Sequence, residues 1–143
     1  MSLLINTIKQ VAEKYLAHRQ VAFVMVFGSQ ATGNADGQSD LDIAIGFSNQ
    51  NLSDEEKFKI IDELGSKLAT ILRIPFEQID IKIFETLPLT LRFRVIQQGK
   101  AVFVKDLPDF RKKAISTVAM YQDEKPFFDL ATKAFFRRNA INV

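Results

Sequence analysis

Hydrophobic positions along the chain change between the spacing of a helix and the spacing of a strand. Apolar side chains three and four positions apart in residues 3–18 predict an amphipathic helix. The continuous apolar run Val21–Phe27 predicts a buried strand, and the alternating segment Leu41–Phe47 predicts a second one. Turn-forming residues fill positions 33–39, so a loop is expected to join the two strands.

A second helix is predicted downstream of these strands. Ser53 and Glu56 belong to a capping box that opens this helix. Ile74-Pro75 stops it, so the helix is expected to run to about Leu72. The apolar stripe predicted along this helix consists of Phe58, Ile61, Leu64, Leu68 and Ile71.

A third strand and a short helix are predicted next. Residues 78–84 alternate in polarity, which places Asp80 and Lys82 on one face of the strand and the isoleucines on the other. Pro88 is expected to start a short helix that ends before Gly99.

The remaining residues predict one more strand and a long C-terminal helix. The strand is expected at residues 101–104, and Asp106 and Pro108 are suited to the first turn of the helix. Pro126 falls inside that helix, so a kink or break is expected near Asp123–Pro126.

This order of elements predicts an α+β fold in which helices flank one small mixed sheet. The chain has 143 residues, the size of one domain, so a single domain is expected over residues 1–143. The part of the domain that carries the chemistry, its catalytic core, is expected at about residues 20–105. A helical C-terminal segment is expected at about residues 106–143.

Composition and charge exclude several classes of protein. The chain has no cysteine and one histidine, which excludes disulfides, thiolate metal sites and a histidine metal cluster. No apolar run reaches the roughly 20 residues of a membrane span, and no secretory signal is visible, so a cytoplasmic protein is expected. Residues 1–91 hold 8 basic and 12 acidic side chains and residues 92–143 hold 11 and 5. This asymmetry is interpreted first as a basic, solvated face of the C-terminal helix and second as weak support for an anionic ligand.

Three aspartates are the candidate chemical groups. Asp40 and Asp42 are two positions apart on a strand, so their side chains leave the same face, with Cα atoms about 6.6 Å apart at roughly 3.3 Å per residue. Asp80 lies on another predicted strand, and all three carboxylates share one surface if the two strands are neighbours. Mg²⁺ prefers carboxylate oxygens and commonly completes its shell with substrate phosphates. The pattern predicts a metal-dependent phosphoryl-transfer site in which Asp80 is a base or a second-metal ligand.

Gly28 and Ser29 follow the first strand and are candidates for phosphate binding. Glycine lets a backbone turn approach a phosphate closely, and serine adds a hydroxyl donor. If residues 29–32 begin a short helix, their N–H groups form a phosphate seat beside the carboxylates. Ser39, which precedes Asp40, is interpreted first as a loop or capping hydroxyl and second as a nucleotide ligand.

Gly28-Ser29, ten intervening residues and Asp40-Leu41-Asp42 together resemble the GS-x10-D-x-D motif of the DNA polymerase β-like nucleotidyltransferases. The fuller run GSQATGNADGQSDLDIAI resembles the minimal nucleotidyltransferases (MNT) of bacteria and archaea, and the aspartate of IDIKI matches their third aspartate. The similarity extends to LRFRVIQQGKAVFVKD and covers about residues 20–125.

The resemblance implies a nucleotidyltransferase fold and Mg²⁺-dependent transfer of a nucleoside monophosphate from a triphosphate, ATP, to an acceptor. Many stand-alone members of this size are antitoxins that silence a HEPN-domain ribonuclease toxin by adding AMP to a tyrosine. Such a toxin is therefore the implied partner, in a homo- or hetero-oligomer. The resemblance assigns Gly28 and Ser29 to triphosphate binding, Asp40 and Asp42 to one or two Mg²⁺ ions, and Asp80 to the metal or base role.

Two sites depart from the family pattern. Gln30 and Thr32 stand where many relatives have arginines, so phosphate contacts in this turn are expected from the backbone. Lys82, beside Asp80, is more polar than the apolar residue that is usual at its position. It is expected either to contact a phosphate or to pair with Asp80.

Two other functions are compatible with the sequence. A non-catalytic antitoxin would bind a toxin through the basic C-terminal helix, where Phe127-Phe128 and Phe135-Phe136 form either a packed helix end or a docking patch. A transferase acting on a small molecule or on RNA is the other alternative, and the basic C-terminal half would suit RNA. The presence of all three aspartates favours the enzyme over the binding module.

Overall fold

The computed structural model of the chain describes residues 2–28, 31, 40–48 and 51–138. Its strands are β1 (Val21–Phe27), β2 (Leu41–Phe47), β3 (Ile79–Ile83) and β4 (Lys100–Val104). Its helices are α1 (Leu3–Leu16), α2 (Asp54–Leu72), α3 (Leu89–Gln98) and α4 (Leu107–Arg138), and short 3-10 helices, Phe76–Gln78 and Phe84–Thr86, flank β3. The predicted order of elements and the α+β fold class are confirmed.

The strands of the described residues form one mixed sheet in the order β3-β2-β1-β4. β1 is antiparallel to both of its neighbours, whereas β2 and β3 are parallel. A parallel pair needs a long crossover connection, which α2 supplies between β2 and β3. Because β2 is a central strand, side chains at its N-terminal end have neighbours from both β1 and β3.

The sheet separates two apolar cores. One face carries Ile43 and Ile45 and is covered by α1 and α2. The opposite face carries Met25 and Ala44 and packs against α3 and the first turn of α4. Successive side chains of a strand face opposite sides, so Asp42 lies on the same face as Ala44.

The helix ends follow the capping rules that their sequences predict. Ser53 Oγ accepts a hydrogen bond from the Glu56 N–H at 3.1 Å, which opens α2. Asp106 Oδ1 accepts one from the Asp109 N–H at 3.1 Å at the start of α4. α2 ends at Leu72, and its C-cap Arg73 has a φ of 57°, in the left-handed region.

The predicted apolar stripe of α2 is only partly buried. Leu64 and Leu68 are fully buried, whereas Phe58 is 55% exposed and Ile71 is 53% exposed. The central turns of α2 therefore cover the sheet, and the two ends of the stripe extend past it. Helical periodicity identifies the face correctly but does not show how far the sheet reaches beneath it.

α4 continues through Pro126, so a break at this position is wrong, and a kink stays a prediction. The side chains of residues 122–127 are exposed, which leaves water free to bond the carbonyl that loses its donor to the proline. Phe127 is 72% exposed, and the side chains of Phe128, Phe135 and Phe136 lie outside the described residues. No helix in the described part of the chain is long and apolar enough to cross a membrane.

Lys113 of α4 links this helix to the C-terminal end of β2. Lys113 Nζ lies 3.0 Å from Glu85 Oε2 and 2.9 Å from Asp109 Oδ2, and it donates a hydrogen bond to the Phe47 carbonyl at 2.8 Å. Glu85 also accepts from the Phe47 N–H at 3.0 Å. Burial alone would lower the pKa of Lys113, but the hydrogen bonds and charges of Asp109 and Glu85 together raise it.

Lys113→Met is expected to lower the free energy of unfolding by about 1–3 kcal/mol, because it leaves two carboxylates and a carbonyl without their shared donor. The folded-state pKa of Lys113 is raised above 10.5, so its contribution is fully present below pH 10.5 and is lost as the pH rises through the folded value. Urea unfolding at pH 7 and at rising alkaline pH measures both effects. Lys112→Met, which changes an exposed neighbour, is the control, and equal stability of the two variants would contradict the prediction.

Candidate active site

The candidate active site lies at the edge of the sheet where β1 ends and β2 and β3 begin. In the parallel register of β2 and β3, Asp42 is paired with Asp80. Neighbouring strands lie about 4.8 Å apart, so the two carboxylates leave the sheet side by side. On the other side of β2, Asp42 is paired with Phe27, the last residue of β1. β2 and β3 are therefore neighbours, which is the condition for Asp42 and Asp80 to lie on one surface.

The turn after β1 is built around Gly28, whose φ of 72° lies in the left-handed region. A Cβ at this position would lie 2.5 Å from Asp42 Oδ2, closer than Cβ atoms approach other atoms. The Ala31 N–H donates to the Gly28 carbonyl at 3.2 Å, which continues the turn. The glycine makes room for the Asp42 carboxylate, a reason for glycine that the motif spacing alone does not reveal.

Of the remaining residues of the predicted site, the structure describes Asp40 but not the two serines. Asp40 is exposed and directly precedes β2, two positions before Asp42. Ser29 and Ser39, the candidate phosphate-side hydroxyls, lie outside the described residues. The structure thus brings together the aspartates and Gly28.

The carboxylates form one electrostatic cluster. Burial raises the pKa of Asp42 above its usual value of 3.8, and the charges of Asp80 and Asp40 raise it further. The charge of Lys82 acts in the opposite direction and lowers it. Like charges oppose one another's ionisation at short range, so ionised Asp42 is destabilised by the arrangement around it.

Lys82 adds a positive charge to this face of the sheet. It lies two positions after Asp80 on β3 and is paired in register with Ala44 of β2. Its Nζ lies 3.4 Å from Asp80 Oδ2, and the side chains of Lys82 and Asp80 are 43% and 46% exposed. Of the two roles expected for Lys82, the structure shows the ion pair with Asp80.

The aspartates suit a magnesium ion whose shell a substrate completes. Within the described ranges, no group of three or more His, Cys, Asp or Glu side chains could hold a metal ion. Mg²⁺ bound with a nucleotide needs only one or two carboxylates together with phosphate oxygens, and neighbouring aspartates can supply them. A cation would also relieve the repulsion that raises the pKa of Asp42. The donor chemistry therefore fits Mg²⁺ bound together with a polyphosphate substrate.

Carboxylates from two adjoining strands beside a glycine turn are suited to an enzyme that transfers phosphoryl or nucleotidyl groups. Comparison with protein families makes this class specific. Residues 6–107 match the family described as polymerase beta, nucleotidyltransferase. The chain belongs to this family of nucleotidyltransferases.

Solved structures with the same fold include chains of toxin–antitoxin complexes. A chain from the crystal structure of a toxin-antitoxin with AMP-PNP is 24% identical, with a TM-score of 0.64, and the match covers 87% of this chain and 98% of that one. A chain from a complex of tri-AMPylated Shewanella oneidensis HEPN toxin with MNT antitoxin is 22% identical, with a TM-score of 0.59, and the match covers 91% and 97%. At these identities the likeness establishes the fold. A comparison with curated protein sequences found no match.

Proposed function

We propose that the chain is an Mg²⁺-dependent nucleotidyltransferase that moves AMP from ATP to a tyrosine of a HEPN-domain toxin and so acts as its antitoxin. The observation that carries the proposal is the pairing of Asp42 with Asp80 beside Gly28, in a chain of the nucleotidyltransferase family. Two similar structures support the choice of nucleotide and acceptor, since one contains AMP-PNP and another an AMPylated HEPN toxin with an MNT antitoxin.

In this proposal Asp40, Asp42 and Asp80 hold one or two Mg²⁺ ions, which when bound neutralise the triphosphate and lower the pKa of the attacking hydroxyl. Backbone N–H groups of the turn at Gly28 and Ser29 bind the triphosphate, with Ser39 as a further hydroxyl on that side. Gly28 also keeps the Asp42 carboxylate in place, because any side chain there would displace it.

We assign the role of the base to Asp80. In that role its carboxylate accepts the proton from the tyrosine hydroxyl while the hydroxyl oxygen forms a bond to the α-phosphorus of ATP. The bond between the α-phosphorus and the bridging oxygen breaks, and pyrophosphate leaves. We place this reaction in the cytoplasm, in a hetero-oligomer with the toxin that provides the tyrosine.

Transfer of label from ATP tests the proposal. The chain is incubated with ATP labelled at the α-phosphate, Mg²⁺ and a HEPN-domain protein encoded by a neighbouring gene. We expect label on a tyrosine of that protein, no transfer from γ-labelled ATP, and no transfer in EDTA. Asp62→Asn, which neutralises an exposed aspartate of α2, should leave the rate unchanged.

Two outcomes would contradict different parts of the proposal. Binding of ATP without label on the HEPN-domain protein would remove the acceptor and leave the transferase. Full protection of toxin-expressing cells by an Asp40→Asn/Asp42→Asn variant would instead show that the chain neutralises the toxin by binding alone.

A further inference from the structure

The segment that forms the acidic cluster carries no positive charge of its own. From Gln20 to Glu56 the sequence contains no lysine or arginine. This stretch supplies β1, β2 and both Asp40 and Asp42. A polyphosphate approaching these carboxylates is itself anionic, so another part of the chain or a bound cation must offset the repulsion.

Lys82 brings a positive charge to the cluster from β3. The register pairs Asp42 with Asp80 and Ala44 with Lys82. The Lys82 side chain therefore projects from the same face of the sheet as both aspartates. Its side chain reaches back along the strand to Asp80, with Nζ 3.4 Å from Oδ2. At 43% exposure the side chain is accessible to a ligand from solvent.

The ion pair between Lys82 and Asp80 is of a kind that exchanges partners readily. Exposed ion pairs contribute only about 0–1 kcal/mol, so little free energy holds the ammonium on the carboxylate. Lysine has three donors on a flexible four-carbon stem, which lets its ammonium move to a second acceptor nearby. A triphosphate offers more negative charge than one carboxylate and so competes well for it.

We propose that Lys82 is a nucleotide-binding residue whose ammonium leaves Asp80 and contacts a phosphate of the bound nucleoside triphosphate. The exchange frees the Asp80 carboxylate when the nucleotide arrives, which couples substrate binding to the availability of the base. This inference rests on the proposed function, because it requires a triphosphate at the acidic cluster.

Binding of AMP-PNP in EDTA tests the contact without any contribution from a metal. Isothermal titration compares the wild-type chain with Lys82→Met, Lys82→Arg and the double variant Asp80→Asn/Lys82→Met. We expect Lys82→Met to weaken binding by about tenfold, and Lys82→Arg to retain affinity within about threefold, as charge-assisted phosphate contacts predict. Lys59→Met, at an exposed position on α2, is the control.

The double variant separates a phosphate contact from simple compensation of charge. Asp80→Asn is measured beside the double variant, so that repulsion by Asp80 is absent from both. If Lys82 only neutralises Asp80, these two variants should bind equally well. If Lys82 contacts the nucleotide, the double variant should bind about tenfold more weakly than Asp80→Asn. Acylation of lysines followed by mass spectrometry adds a direct measurement, in which AMP-PNP should protect Lys82 and leave Lys59 reactive.

The outcomes also distinguish this inference from the proposed function. Equal affinity of the double variant and Asp80→Asn, unchanged binding by Lys82→Met, or absence of protection would overturn the role of Lys82 while leaving the transferase in place. Failure of the wild-type chain to bind nucleotide both in EDTA and with Mg²⁺ would overturn both.

Discussion

Asp42→Asn is expected to lower the rate of AMP transfer at least about a thousandfold, because in the proposed function it removes a charged ligand of the Mg²⁺ ion. Asparagine has almost the same shape as aspartate, so the space beside Gly28 and the pairing with β1 and β3 are retained. Label transfer from ATP measures the rate, and circular dichroism checks the fold. A variant that retained a tenth of the wild-type rate would contradict the assignment of Asp42 to the metal.

The same substitution is expected to stabilise the fold. The folded-state pKa of Asp42 is raised above 3.8, so its folded form favours the protonated carboxyl and stability is lost as the pH rises through the folded value. Removing the charge should therefore raise the free energy of unfolding at pH 7. Urea unfolding at pH 3 and pH 7 should show a gain at pH 7 that is smaller or absent at pH 3. Asp62→Asn should show neither change.

Loss of activity together with a gain in stability is informative, because a substitution that damages a fold lowers both activity and stability. Most substitutions at partly buried positions destabilise a protein by about 0.5–3 kcal/mol. A site that keeps like charges together for catalysis contains repulsion that the fold does not need. Asp42 is therefore expected to contribute to function at the expense of stability.

The elements of this fold are visible in the sequence because they are governed by local rules. The strand Val21–Phe27 and the helix opened by Ser53 follow from apolar periodicity and a capping side chain. The exposure of Phe58 and Ile71 does not follow from periodicity, since it depends on where the sheet ends beneath the helix. Local rules also do not predict that α4 continues through Pro126, because this depends on solvent around the proline.

Local sequence patterns predict some features of the candidate site, whereas others depend on contacts between distant parts of the chain. Alternation on β2 and β3 predicts which face Asp42 and Asp80 occupy, but only the crossover through α2 makes the strands parallel neighbours with the two aspartates in register. The close approach of Gly28 and Asp42 joins the turn after β1 to a residue fourteen positions later on β2, so no spacing rule reports it. Two of the three partners of Lys113, Glu85 and the Phe47 carbonyl, are likewise distant in sequence, and no motif signals them.

Gly28→Ala is expected to reduce AMP transfer at least about a hundredfold and to lower the free energy of unfolding by about 1–2 kcal/mol. Alanine at a φ of 72° is strained in any surroundings, and its Cβ would lie 2.5 Å from Asp42 Oδ2. The carboxylate must then move within a cluster that already opposes its ionisation. Label transfer and urea unfolding measure the two effects, with Gly65→Ala, on the helix that covers the opposite face, as the control for activity.

A double-mutant cycle isolates the close approach from the backbone strain. In an Asp42→Ala background the atom that the new methyl would meet is gone, so Gly28→Ala should cost only the strain of the left-handed conformation, about 1 kcal/mol. The two substitutions should therefore be non-additive by about 0.5 kcal/mol or more, as expected for groups in direct contact. Strict additivity would mean that Gly28 and Asp42 do not touch, and that only the left-handed backbone conformation requires a glycine at this position.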